Sequence, residues 1–253
     1  AIDDRLYVAD ERGLQIVDIS VPHRPSLMSE VRFEGTALGA FGEGVWADGD
    51  EVYVAASYYG VAVGDVVERR PHVLVVDASD PYHPRAIAHA VGPSAGRAVD
   101  VEVDEGLLFV AAENAGLLLF DVHDPKQPQY VGGVDTHFAQ KVAVRQGLVY
   151  VADDTGGLVV VDPTSPNSPR VVGVADTPGR AFGVDAADGY AFVADGTGGM
   201  QVVALAGLTP TPDPSPTASP TASLTPTLDP TATPTSAPRG VAIPLILRDG
   251  DGQ

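Results

Sequence analysis

Apolar residues in the first two hundred positions fall into runs of four to six, and each run stops at Gly, Asp, Asn or Pro. Such runs predict short β-strands separated by tight turns. One motif recurs: an apolar residue, Tyr or Phe, then Val-Ala, a Gly turn, and a second apolar run ending in Asp. The first runs are Leu6–Asp10, Val52–Ala56, Leu108–Ala112, Val149–Asp153 and Ala191–Asp195. The second runs are Gly13–Asp18, His72–Asp77, Gly116–Asp121, Gly157–Asp162 and Gly199–Ala204. From Tyr7 to Tyr53, Phe109, Tyr150 and Phe192 the steps are 46, 56, 41 and 42 residues. A period near 40–45 with several strands per unit predicts propeller blades. The long step holds an insertion, Ser57–Pro71, inside the second unit; its Tyr58, Tyr59, Glu68, Arg69 and Arg70 make it a candidate partner-binding loop.

The remaining strands of each unit follow from their neighbours. An inner strand precedes the Tyr/Phe-Val-Ala run at Gly44–Ala47, Val99–Val103, Lys141–Val144 and Phe182–Asp185. After the second run comes Asp-x-x-x-Pro-x-x-Pro, beginning at Asp18, Asp77, Asp121 and Asp162. Pro fixes the bend and the Asp carboxylate can accept from turn N–H groups. An outer strand then follows at Leu27–Phe33, Ala86–Val91, Tyr130–Val134 and Val171–Ala175. The expected fold is therefore all-β, a five-bladed propeller over residues 1–207. Two blades are incomplete. Ala1-Ile2-Asp3 is only a stub of the first inner strand, and no outer strand follows Met200, Gln201, Val202, Val203, Ala204 and Leu205. That last run is predicted to be an open edge, which proteins normally cover.

GLQIVDIS, HVLVVDAS and GLVVVDPT resemble the LVIVD repeat of bacterial surface and secreted proteins. The resemblance covers residues 5–205 and implies a propeller without naming an activity, because propellers host many.

Residues 208–239 are dominated by Thr, Pro, Ser and Ala. This composition buries no core and favours extended polyproline-II geometry, at ~3.1 Å per residue. Thr209, Thr211, Ser215, Thr217, Ser219, Thr221, Thr225, Thr227, Thr231, Thr233 and Thr235 are candidate O-glycan acceptors. A plain flexible spacer is the competing reading. Residues 240–253 then carry an apolar run: Val241, Ala242, Ile243, Pro244, Leu245, Ile246 and Leu247. Its opening Pro238-Arg239-Gly240-Val241 is like the start of outer strands, Pro84-Arg85-Ala86-Ile87 and Pro169-Arg170-Val171-Val172. It reads as the outer strand missing from the fifth blade, and Pro244 suits an outermost strand. Burying five or six such side chains is worth roughly 8–15 kcal/mol gross. The run also resembles Leu-Pro-Leu-Ile/Val tails that follow Thr/Pro linkers in some secreted bacterial proteins, which look like sorting or attachment elements.

Charge narrows the partners. The net charge is −19, so phosphate backbones and anionic lipid surfaces are repelled. No apolar run is long enough to span a membrane. The chain has no Cys, which removes disulfides and thiolate sites. Ala1 is not Met, which fits removal of a secretory leader.

Chemistry is sparse. His23, His83 and His123 sit in or beside Pro turns, and no His-x-x-x-His pair exists for zinc. Asp249-Gly250-Asp251-Gly252 opens like a calcium loop but lacks the other ligands. Asp153, Asp154 and Asp195 near Gly turns form at most a weak cation site. Inner strands offer Asp100, Glu102, Lys141 and Asp185 as polar residues; the three acids among them could supply a glycosidase pair, with no spacing that selects two of them. No cofactor and no metal are expected, and no catalysis. The reading favoured by the residues is an extracellular or cell-surface subunit whose tail enters the last blade of another copy, giving a head-to-tail homopolymer. Insertion into its own blade is the nearest competitor. A surface-displayed module binding glycan or protein on a Thr/Pro stalk is the alternative, and a carbohydrate-active enzyme the second alternative.

Overall fold

The computed structural model describes residues 4–32, 40–58, 61–63, 66–68, 70–205, 207, 242–244 and 246–247. Blade 1 comprises β1 (Arg5–Asp10), β2 (Gly13–Asp18) and β3 (Ser26–Arg32). Blade 2 comprises β4 (Ala40–Asp48), β5 (Glu51–Tyr58), β8 (His72–Asp77) and β9 (Arg85–Val91). Its inserted hairpin is β6 (Val61–Val63) and β7 (Val66–Glu68). Blade 3 holds β10 (Asp100–Asp104), β11 (Leu107–Ala111), β12 (Leu117–Asp121) and β13 (Gln129–Val134). Blade 4 holds β14 (Lys141–Arg145), β15 (Leu148–Ala152), β16 (Leu158–Asp162) and β17 (Arg170–Ala175). Blade 5 holds β18 (Gly183–Ala187), β19 (Tyr190–Ala194) and β20 (Met200–Ala204). The chain ends in β21 (Ala242–Pro244) and β22 (Ile246–Leu247). The fold is an all-β, five-bladed propeller.

Consecutive strands of a blade pair antiparallel, as short hairpins require. The turns joining inner to second strands use two residues at positive φ: Glu105-Gly106, Gln146-Gly147 and Asp188-Gly189. That geometry matches the right-handed twist of the strands on either side, and Gly takes its second position without a Cβ penalty. The predicted Asp caps are in place. Asp18, Asp77, Asp121 and Asp162 accept from the backbone N–H two residues on, at 2.8, 3.0, 3.0 and 3.0 Å. Hydrogen bonds from the Ser20 and Ser79 side chains, then these backbone bonds, favour the carboxylates of Asp18 and Asp77, and the backbone bond and ring of His123 favour that of Asp121, holding all three below the usual Asp range.

Alternate residues of each strand enter different cores, which explains runs apolar on both faces. Leu108 and Val110 pack with Tyr53 and Val75 of blade 2. Phe109 and Ala111 pack with Val149 and Val151 of blade 4. Tyr7 and Ile16 join blades 1 and 2, and Tyr150 and Val160 join blades 4 and 5. Four buried clusters thus link five blades in sequence. Among the described residues, none joins blade 5 to blade 1. At that seam blade 1 has three strands, as its sequence predicts, and its stub lies outside the described residues. In its place β4 packs on β1, while β4, β10, β14 and β18 lie side by side around the centre.

Candidate functional site

Two places gather chemistry or unpaired backbone: the outer rim of blades 4 and 5, and the central channel.

At the rim, β20 is the third strand of its blade, and among the described residues no strand follows it by a hairpin. Its outer edge is taken by β21, with Val202 opposite Ala242, Val203 opposite Ile243 and Ala204 opposite Pro244. Pro244 is tolerated because β21 is outermost and one side needs no partner. The pairing is parallel, whereas outer strands β3, β9, β13 and β17 are antiparallel to their third strands. Likeness of the tail to those outer strands therefore carries over to position and not to direction. The cause is connection: the other outer strands follow a tight turn, while the tail arrives after roughly 37 residues and is free to enter from the opposite end. Two residues on, β22 pairs antiparallel with β17, Gly173 opposite Leu247 and Val174 opposite Ile246. No pattern in the sequence marks this second seat. Gln201, Val203 and Leu205 are buried, and Met200 is exposed. Val241, Leu245, every candidate glycan acceptor from Thr209 to Thr235, and the Asp249–Gly252 run lie outside the described residues.

Asp195 holds the turn that launches β20. It is fully buried, its Oδ1 accepts from the Thr177 hydroxyl at 2.6 Å, and its Oδ2 accepts from the Gly179 N–H at 2.7 Å. Asp153 does the same one blade earlier, accepting from His137 and Phe138 N–H at 2.8 and 2.7 Å. Asp154 takes a two-pronged contact from Arg180 at 2.6 and 2.9 Å, which holds its carboxyl below the usual range. These three acids, weighed above as a weak cation site, are thus engaged by protein donors. They staple the loops between blades 3 and 4 and between blades 4 and 5 to the neighbouring hairpins.

In the channel, Asp100 and Glu102 project from one face of β10 and both are buried. Gly44 lets β4 approach so closely that a Cβ there would lie 2.9 Å from Asp100 Oδ1. Lys141 Nζ meets that oxygen at 2.7 Å, and Val142 N–H donates to Oδ2 at 3.1 Å. Arg145 bridges Glu102 at 2.7 Å and Asp185 at 2.8 Å. Burial pushes Asp100 and Glu102 above their ordinary values, and the neighbouring cations oppose that rise. The acids nominated for catalysis are therefore each bound to a cation from an adjacent blade. Sequence reading missed Arg145, one position beyond the predicted strand, though a cation beside three acids was its signal.

His83 and His123 are exposed turn residues resting on Asp80 and Asp121 at 2.9 and 2.8 Å. No group of three or more His, Asp or Glu able to hold a metal ion occurs among the described residues. No helix among them is long and apolar enough to cross a membrane.

A family model described as the LVIVD repeat matches residues 3–32, 95–136, 138–177 and 178–205. The chain belongs to the LVIVD-repeat family. The LVIVD matches cover blades 1, 3, 4 and 5; they skip blade 2, which carries the inserted hairpin yet keeps the same four-strand order. No curated protein matches the chain. Among solved structures, the computationally designed Ika8 protein is similar, with a TM-score of 0.57 at 10% identity, over 82% of this chain and 57% of Ika8. The LVIVD chain thus spans little more than half the length of that structure, and the likeness concerns the fold alone.

Proposed function

We propose that the protein is an extracellular structural subunit that assembles head-to-tail, the C-terminal strand of one copy completing the fifth blade of the next. The observation that carries this reading is the pairing of β21 with β20: a strand remote in sequence occupies an edge that the contiguous chain leaves open. Closing that edge within one chain needs a crossover of about a dozen residues. The spacer of roughly 37 residues is three times that, and its Thr/Pro composition gives a reach on the order of 115 Å. A propeller of some 205 residues has a diameter of roughly 43 Å, so the tail can reach past a neighbour. Main-chain pairing at an exposed edge is a general mode of strand donation, and a donation that does not close on itself builds a filament. Catalysis has no part in this proposal, since the channel acids serve as inter-blade ion pairs.

The test is particle mass by light scattering and negative-stain imaging over a concentration series reaching the millimolar range. The full chain is expected to polymerise; a chain lacking residues 240–253, and one with the spacer cut to about twelve residues, are expected to stay monomeric. A full chain monomeric throughout, or a tail-less chain that assembles identically, overturns the reading. The second reading is a binding module on a Thr/Pro stalk. It is favoured by a cleft of about 430 Å³ lined by Ala95, Gly96, Arg97, Glu113 and Asn114, and it requires a monomer at every concentration.

A further inference from the structure

The four outer strands share an irregularity. In β3, β9, β13 and β17 the register slips once, so that Met28, Ile87, Val131 and Val172 have no partner across the strand pair. The next residue is Ser29, Ala88, Gly132 or Gly173, opposite Ile16, Val75, Leu119 and Val160. All four are small. In blades 1 and 3 the reason is visible, because the Pro turn of the following blade lies over that residue. Ser29 Oγ donates to the Pro81 carbonyl at 2.6 Å. A Cβ on Gly132 would sit 2.2 Å from the Pro166 carbonyl oxygen. Pro81 and Pro166 are the same turn position, four residues after Asp77 and Asp162.

The sequence after β20 lacks this turn motif. Ala204 stands where the Asp should be and Leu208 where the first Pro should be. Gly173, on blade 4, is therefore the one small bulge residue that no Pro turn follows. There the structure places β22, with Leu247 opposite Gly173. We infer that Ile246-Leu247 replaces the Pro turn that blade 5 lacks, so that the tail's acceptor has two parts: the outer edge of β20 and the Gly173 position of blade 4. The inference rests on the reading of the tail as a blade-completing strand, in its own chain or another. It also explains how the tail selects one rim site among five similar blades. Elsewhere the sequence of the next blade carries the Pro-turn motif; among the described residues, only at blade 4 does a bulge residue without that motif adjoin a third strand that lacks an antiparallel outer strand.

The chain has no Cys, so cysteine pairs introduced into the full-length protein report each seat separately. Directly opposed residues of neighbouring strands, parallel or antiparallel, lie about 5 Å apart between Cα atoms, within disulfide range. Val202→Cys with Ala242→Cys reads the β20 seat. Gly173→Cys with Leu247→Cys, and Val174→Cys with Ile246→Cys as a second pair, read the blade 4 seat. Ser29→Cys with Leu247→Cys is the control, since Pro81 covers Ser29. On non-reducing gels the β20 pair and at least one blade 4 pair are expected to close at least roughly tenfold more than the control. Closure within one chain or as a ladder between chains reports which copy donates. Closure of the β20 pair with both blade 4 pairs open overturns the two-part acceptor and leaves the proposed function standing. Failure of all pairs overturns both. Closure of the control to the same extent removes the selectivity.

Discussion

Replacing Asp195 by Ala is expected to destabilise the whole propeller and to loosen the acceptor strand in particular. The carboxylate is fully buried and receives the Thr177 hydroxyl at 2.6 Å and the Gly179 N–H at 2.7 Å. Hydrogen bonds to a charged group contribute about 1.5–3 kcal/mol each, and truncation strands both donors away from water. The expected loss is roughly 3–6 kcal/mol. At about 2–4 °C per kcal/mol for a domain of this size, the midpoint should fall by roughly 6–24 °C. Asp195→Asn should fall between, because its amide sets an N–H against the Gly179 N–H. The control is Asp185→Ala: its side chain is 65% exposed and its ion pair with Arg145 is worth less than about 1 kcal/mol. Thermal unfolding followed by circular dichroism separates the two. If Asp195→Ala melts within about 2 °C of Asp185→Ala, the carboxylate staple is not what holds the β19–β20 turn, and the argument fails.

Asp100→Asn should leave a pH signature of defined sign. Burial raises the Asp100 pKa, so its contribution is fully present below the ordinary value near 3.8 and is lost as pH rises through the raised value. Denaturant unfolding should therefore show the Asn variant gaining on the parent from about pH 4 upward and levelling above the raised value; a constant difference would contradict the burial argument. Gly132→Val should cost about 1–3 kcal/mol in the same assay, because its Cβ meets the backbone carbonyl of Pro166 at 2.2 Å; an unchanged midpoint would mean that the Pro turn does not cover the bulge.

Much of this fold is legible as repetition. Tyr7, Tyr53, Phe109, Tyr150 and Phe192 count the blades, and the Asp caps hydrogen-bond as turn chemistry predicts, since both signals are local. The open edge at β20 is legible by subtraction. Three features are not local and were missed. The strand direction of β21 depends on the entry side of a long spacer and leaves no mark in Ala242–Pro244. Arg145 joins Glu102 to Asp185 across three blades, and no pattern within one repeat announces that. The small residues Ser29, Ala88, Gly132 and Gly173 do recur in the sequence, but their role depends on the turn of the next blade. Asp153 and Asp195 resembled cation ligands because sequence places acids beside Gly turns without showing the N–H groups that fill them.

The mode of connection also decides what kind of assembly this tail can make. An outer strand tied to its blade by a tight turn cannot leave without its hairpin partner. A strand on a long spacer can leave one edge and enter an identical one while forming the same pairs, Val202 with Ala242 and Gly173 with Leu247. The free energy of the bonds then cancels between closed monomer and polymer. What remains is concentration: a flexible tether presents the tail to its own edge at about millimolar, and repulsion between copies of charge −19 adds to the cost of meeting a neighbour. Polymer is favoured where copies are crowded beyond that level, and salt that shortens the Debye length to about 8 Å lowers the excess required. A crowded surface outside the cell meets the first condition, and a dilute cell-free solution does not. Assembly under this scheme is a response to density, built from the spacer length and requiring no change in the propeller itself.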